Sequence, residues 1–157
     1  MAASAHSAAG IKRLQRFKQR KAPFLLLADS VHTALQQAVY ISPHLRRLAK
    51  QSWVGTTTLV FPAKQRLHTA CYHRGCIAIR VDADVETRRL AKLSGGLLLS
   101  SSLNRKHQDV VLPSLKQRYR WHRHVSGTLS NSQSSTQAEA APSSIYKIVG
   151  AKAIQLR

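Results

Sequence analysis

Phe24-Leu25-Leu26-Leu27 is a run of four apolar residues with no polar side chain at either alternate position, and Asp29 and Ser30 close it. A strand of this kind has no face to offer water, so it must be packed on both sides, as a central strand of a layered sheet is. The rest of the chain has to supply the two layers.

Further short apolar or β-branched runs occur at 57–61, closed by Pro62, at 77–81, and at 97–99 after Gly95 and Gly96. Helical spacing fills the intervals. Ile11, Leu14 and Phe17 predict a basic helix over 11–21, ended by Pro23, and a second helix is expected from Ser30. Ser42 before Pro43 has the N-cap then first-turn arrangement, with Leu45, Leu48 and Ala49 facing inward and a stop near Trp53. Asp84 is suited to cap a helix reaching Leu93. Ile145, Tyr146 and Ile148, then Ala153, Ile154 and Leu156, flank Gly150 as a hairpin at a sheet edge. The alternation implies an α/β layer architecture, in which ligands gather at loops beside strand ends. Residues 1–10 read as a flexible tail and 11–157 as one domain. Within it 114–125 reads as a further helix and 126–141, rich in Ser, Gln and Ala, as an internal linker.

The charge balance narrows the partners. The 157 residues contain 25 Lys and Arg against 6 Asp and Glu, a net charge of +19. Such a field calls for a polyanion, and nucleic acid supplies one whose condensed counterions are released on binding. Arg118, Tyr119, Arg120, Trp121 and Arg123 interleave cations with aromatics, suited to phosphate contact and base stacking in RNA. The alternative for the aromatics is to anchor a basic helix to the core. No apolar run approaches the roughly 20 residues that span a bilayer. Two closely spaced cysteines, Cys71 and Cys76, fit a reducing, cytoplasmic compartment. The Ala/Ser/Arg/Lys-rich segment ahead of Asp29 also reads as an organellar transit peptide, the weaker reading. Spacing of Cys71, Cys76, His122 and His124 does not match a zinc site, so no metal site is expected. Six scattered carboxylates offer no paired acid and base.

Five short segments follow one another in the chain: Lys18-Gln19-Arg20 ahead of Pro23, Trp53-Val54-Gly55-Thr56-Thr57-Thr58, Ile77-Ala78-Ile79-Arg80-Val81, Ser100-Ser101-Ser102-Leu103-Asn104, and Pro142-Ser143-Ser144-Ile145. In that order they resemble motifs of the YrdC-like family of L-threonylcarbamoyladenylate synthases. The family's versions are Lys-x-Arg before a Pro-Leu strand, Trp-Pro-Gly-Pro-x-Thr, a Val-Arg strand, a Ser-Thr-Ser-Ala-Asn turn and a closing Pro-Ser-Thr-Ile. The strand with Arg80 and the turn with Asn104 form the most specific pair. Val54 and Thr56 stand in place of prolines, and Lys147 in place of a common acidic residue.

Family members make threonylcarbamoyl-AMP from threonine, bicarbonate and ATP for modification of transfer RNA. The resemblance therefore implies a YrdC-like open, twisted mixed sheet with flanking helices in a single domain, ATP (with Mg2+) as substrate rather than a tightly bound cofactor, and double-stranded RNA or transfer RNA as partner. It implies nucleotide and phosphate contacts by Lys18, Arg20, Thr58, Arg80, Ser100, Ser102, Asn104 and Ser143. Cations and small hydroxyl or amide donors are what a cleft needs to hold a triphosphate and a carboxylate together. The family's upstream Pro-Thr-x-Thr-x-Tyr-Gly-Leu type segment has no counterpart here, so catalysis is expected to depend on its being supplied. Catalytic residues stay unassigned. The alternatives are a non-catalytic basic RNA-binding module, or a truncated or degenerate paralogue.

Overall fold

The computed structural model describes residues 1–19, 23–101, 119, 125–127, 144–149 and 152–156. At its centre lies the run expected to be a buried strand. This strand, β2 (Leu25–Ala28), runs parallel to β4 (Cys76–Val81) on one side and antiparallel to β5 (Leu97–Ser100) on the other. Beyond β5 lies β1 (Ala2–Ser4), and beyond β4 lie β3 (Thr58–Pro62), β6 (Ile145–Val149) and β7 (Lys152–Gln155). Among the described residues the order β1-β5-β2-β4-β3-β6-β7 makes one open mixed sheet. The β6–β7 hairpin occupies its edge, as the sequence predicts.

Register decides which side chains share a layer. Leu99, Leu26, Ile79, Leu59 and Tyr146 stand side by side across five strands. The four aliphatic members are fully buried, and Tyr146 packs against them. Three helices cover this face: α1 (Ala8–Lys18) through Ile11 and Leu14, α2 (Val31–Gln36) through Ala34, and α3 (Pro43–Ser52) through Leu45 and Ala49. On the other face Leu25, Leu27 and Leu98 pack under α4 (Val85–Leu93) through Leu90 and Ala91. Each fully buried leucine contributes about 1.5–3 kcal/mol of transfer free energy, and β2 gains it on both faces.

Side-chain caps start the helices where the sequence places them. Ser30 Oγ accepts from Thr33 N at 3.1 Å and Ser42 Oγ from Leu45 N at 3.1 Å. Gly96 brings α4 back into β5 with φ +92°, and a Cβ there would sit 3.1 Å from Thr33 Cγ2.

The N-terminal reading needs correction. Residues 1–10, expected as a flexible tail, form edge strand β1 and the first turn of α1. Ala2 and Ser4 face Ser100 and Leu98 in register, and Ser7 caps α1, accepting from Gly10 N at 3.1 Å. The helix therefore begins earlier than expected and ends at Lys18, with Gln19 in the left-handed conformation. A strand of Ala and Ser carries no apolar alternation. What makes it a strand is the backbone of β5 beside it.

Asp84 caps α4 by accepting from the backbone N–H of Thr87 at 2.9 Å and from the Thr87 hydroxyl. These bonds, the hydroxyl first, hold its carboxyl below the ordinary value of 3.8. Asp84→Ala should cost about 1 kcal/mol at neutral pH, as loss of an N-cap does. Because the folded pKa is depressed, this stabilisation is present above 3.8 and is lost as pH falls through the folded value. Urea unfolding of both proteins should show their difference shrinking in acid.

Candidate functional site

The sheet face that carries α4 also gathers the polar residues singled out by sequence. Along β4, Ile77, Ile79 and Val81 point into the main core, which leaves Ala78 and Arg80 for the opposite face. The antiparallel register pairs Leu59 with Ile79 and Val60 with Ala78, so its continuation sets Thr58 beside Arg80. Thr58 is 2% exposed. Its backbone N–H donates to Ser144 O at 2.9 Å, joining the Trp53–Thr58 segment to the start of β6.

The turn that delivers Thr58 is tightly specified. Gly55 N donates to Val81 O at 2.9 Å, tying the turn to the end of β4, and Trp53 Nε1 donates to Thr57 O at 3.0 Å. A Cβ on Gly55 would lie 2.8 Å from the carbonyl oxygen of Ser52. This is why glycine is needed between Trp53 and Thr58.

Arg80 is held at one end only. Nη2 forms an ion pair with Asp82 Oδ2 at 2.7 Å, each side chain about one-fifth exposed. Nε is buried without a hydrogen-bond partner among the described residues. A buried N–H left unpaired costs on the order of 1–3 kcal/mol, and an anionic ligand on this face would satisfy it. Asp82 was not anticipated from sequence. The signal was there, since residues two apart on a strand share a face.

Ser100 ends β5 on the same face, in register with Leu25 of β2. Two strand spacings and two residue rises separate it from Arg80, about 12 Å between Cα atoms. A single phosphate cannot bridge that gap, whereas a larger anionic ligand can lie along it. Lys18 is 6% exposed at the end of α1. The α-amino group of Met1 donates to Ser101 O at 2.8 Å. Its pKa is lowered by burial and then by the charge of Lys18. Lys147 is exposed on β6, across from Val60.

Arg20, Ser102, Asn104, Ser143, Arg118, Arg120, Trp121 and Arg123 lie outside the described residues, as do most of the helix expected at 114–125 and the linker expected at 126–141. Tyr119 is described and is 72% exposed. Cys71 is fully buried, and burial pushes its thiol up to about 11. Among the described residues no group of three or more His, Cys, Asp or Glu is placed to hold a metal ion, and no helix is long and apolar enough to cross a membrane.

A mixed sheet with three helices on one face, and with Arg80, Thr58 and Ser100 on the other, defines a small α/β domain. Residues 1–157 match the Sua5/YciO/YrdC family, described as "Telomere recombination", and the chain belongs to that family. A threonylcarbamoyl-AMP synthase of Thiobacillus denitrificans is 33% identical over 102 residues, which are 63% of this chain and 54% of that protein. Among solved structures, P. abyssi Sua5 complexed with L-threonine is similar with a TM-score of 0.78 at 20% identity, over 99% of this chain and 46% of that one. E. coli YciO gives 0.73 at 16% identity, over 99% and 76%. The chain spans about half the length of its curated relative. The expected open mixed sheet with flanking helices is thus the fold of this family's solved members.

Because the Gly55 carbonyl clash is with backbone, Gly55→Ala forces the turn itself to move. The cost should be about 1–3 kcal/mol, the range for overpacking. Denaturant titration of the variant checks it; an unchanged midpoint would mean that the turn is not under this constraint.

Proposed function

We propose that the chain is the nucleotide- and threonine-handling domain of a threonylcarbamoyl-AMP synthase-type protein that works with RNA in transfer RNA modification. The observation that carries the reading is Arg80: a half-buried side chain held by Asp82, with a buried Nε that has no partner among the described residues, beside Thr58 and on the same face as Ser100. Family membership and the identity to a threonylcarbamoyl-AMP synthase give that anion-receptive face its substrates.

In the proposed reaction the threonine amine forms an N–C bond to bicarbonate with loss of water, giving a carbamate, and a carbamate oxygen bonds to the α-phosphorus of ATP. The bond from that phosphorus to the bridging oxygen breaks and pyrophosphate leaves. Arg80 Nε–H and the Thr58 hydroxyl are suited to hold phosphate or carboxylate oxygens, and the Ser100 hydroxyl binds further along the face. Lys18, Arg20, Ser102, Asn104 and Ser143 complete the proposed contacts. Magnesium enters with ATP as part of the substrate. The two cysteines, both free, suit the reducing cytoplasm in which transfer RNA is modified.

Calorimetric titration with ATP should show binding that Arg80→Ala weakens by about 10-fold or more, the worth of a hydrogen bond to a charged group. Pyrophosphate release should require ATP, threonine and bicarbonate together. Absence of ATP binding would sink the enzyme reading and leave a non-catalytic RNA-binding module, which the net charge of +19 supports independently. For the RNA half, transfer RNA affinity should fall steeply with salt, because the slope counts neutralised phosphates. A flat dependence refutes it.

A further inference from the structure

α1 and α3 carry the same charge pattern. Ile11-Lys12-Arg13-Leu14-Gln15-Arg16 and Leu45-Arg46-Arg47-Leu48-Ala49-Lys50 both place cations at the second, third and sixth positions of the segment. On a helix those three positions fall within an arc of about 100°, opposite the positions that face the core. The structure bears this out: Ile11, Leu14, Leu45 and Ala49 are buried, whereas Lys12, Arg13, Arg16, Arg46, Arg47 and Lys50 are exposed. Both helices pack on the same side of the sheet, away from Arg80. We propose that the outward surface of this helical layer is where RNA docks, through these six cations on its phosphate backbone. The proposal rests on the RNA-binding half of the functional reading and assigns it a surface.

Few acidic residues accompany the charges on this layer. From Met1 to Val81 the sequence holds one acidic residue, Asp29, against thirteen Lys and Arg. None of α1, α2 and α3 has an acidic residue in its first turn, and among the described residues none of the six cations is paired with a carboxylate. Like charges three and four positions apart on a helix repel and destabilise it. Carrying that repulsion twice, in one layer, is relieved by a polyanion laid across it. α4, on the other face, differs: Glu86 lies in its first turn and Arg88 donates to the carbonyls of Asp82 and Ala83.

Charge complementarity fits nucleic acid better than an anionic membrane. A helix that binds at a lipid surface keeps an apolar face to bury in it. Here the apolar faces of α1 and α3 are already committed to the core. Four of the six cations are arginines, whose planar fork matches phosphate oxygens bidentately. Docking on this layer leaves the Arg80 face free, so RNA and ATP should bind without competing.

The test is an RNA duplex of about 16 base pairs, titrated against the full chain and against the quadruple variant Arg13→Gln, Arg16→Gln, Arg46→Gln and Arg47→Gln. The variant should bind at least about 10-fold more weakly, with the slope of log affinity against log salt reduced by about 4, one for each phosphate no longer neutralised. ATP affinity should stay at the wild-type value, and the melting temperature should hold or rise as repulsion is removed, which separates a lost surface from a lost fold. Unchanged duplex affinity and slope, with the loss appearing instead in Arg118→Gln, Arg120→Gln and Arg123→Gln, would overturn this surface and leave RNA binding standing. A wild-type chain that ignores the duplex but binds phosphatidylserine vesicles would overturn both.

Discussion

Burial of β2 on both faces is the constraint on which the rest of the structure depends. Leu26 and Ala28 commit one face of the strand to the core beneath α1, α2 and α3, and Leu25 and Leu27 commit the other to α4. A strand closed on both sides has to be internal, with hydrogen-bonded neighbours along both edges, and β4 and β5 provide them. Once β4 is locked beside β2 with Ile77, Ile79 and Val81 in the core, the pleat obliges Arg80 to emerge on the opposite face. The placement of Arg80 on that face is thus a consequence of core packing.

The same pleat explains why an arginine is tolerated in a sheet otherwise filled with Leu, Ile and Val. Asp82, two residues further along, meets part of its charge on the same face. The exposure of the pair keeps its own worth small, within about 1 kcal/mol. Its role is to orient: with Nη2 held, Nε points in a fixed direction and stays unpaired. An unpaired buried donor is a cost to the folded protein that a ligand's oxygen would remove.

Two opposite surfaces then divide the electrostatics. The sheet face bears few charges, locally constrained, at a site that is partly screened from water. The helical layer bears many, and Lys12, Arg13, Arg16, Arg46, Arg47 and Lys50 among them are exposed and unpaired with any carboxylate among the described residues. The first geometry suits recognition of a small anion by directed hydrogen bonds, the second the sequence-independent attraction of a long polyanion.

Much of this was legible in the chain. The apolar run at β2, the caps at Ser30, Ser42 and Asp84, the glycines before β5 and the β6–β7 hairpin are local signals, because each depends on residues within a few positions of one another. So is the cation pattern of α1 and α3, which helical periodicity turns into a face. The sequence could not show that residues 1–10 join the sheet, because Ala and Ser in β1 follow the backbone of β5, nearly a hundred residues away. Nor could it show that Thr58 stands beside Arg80, or that Ser144 is tied to Thr58. Those placements are set by strand register across the sheet, and register is decided only when distant side chains compete for one core.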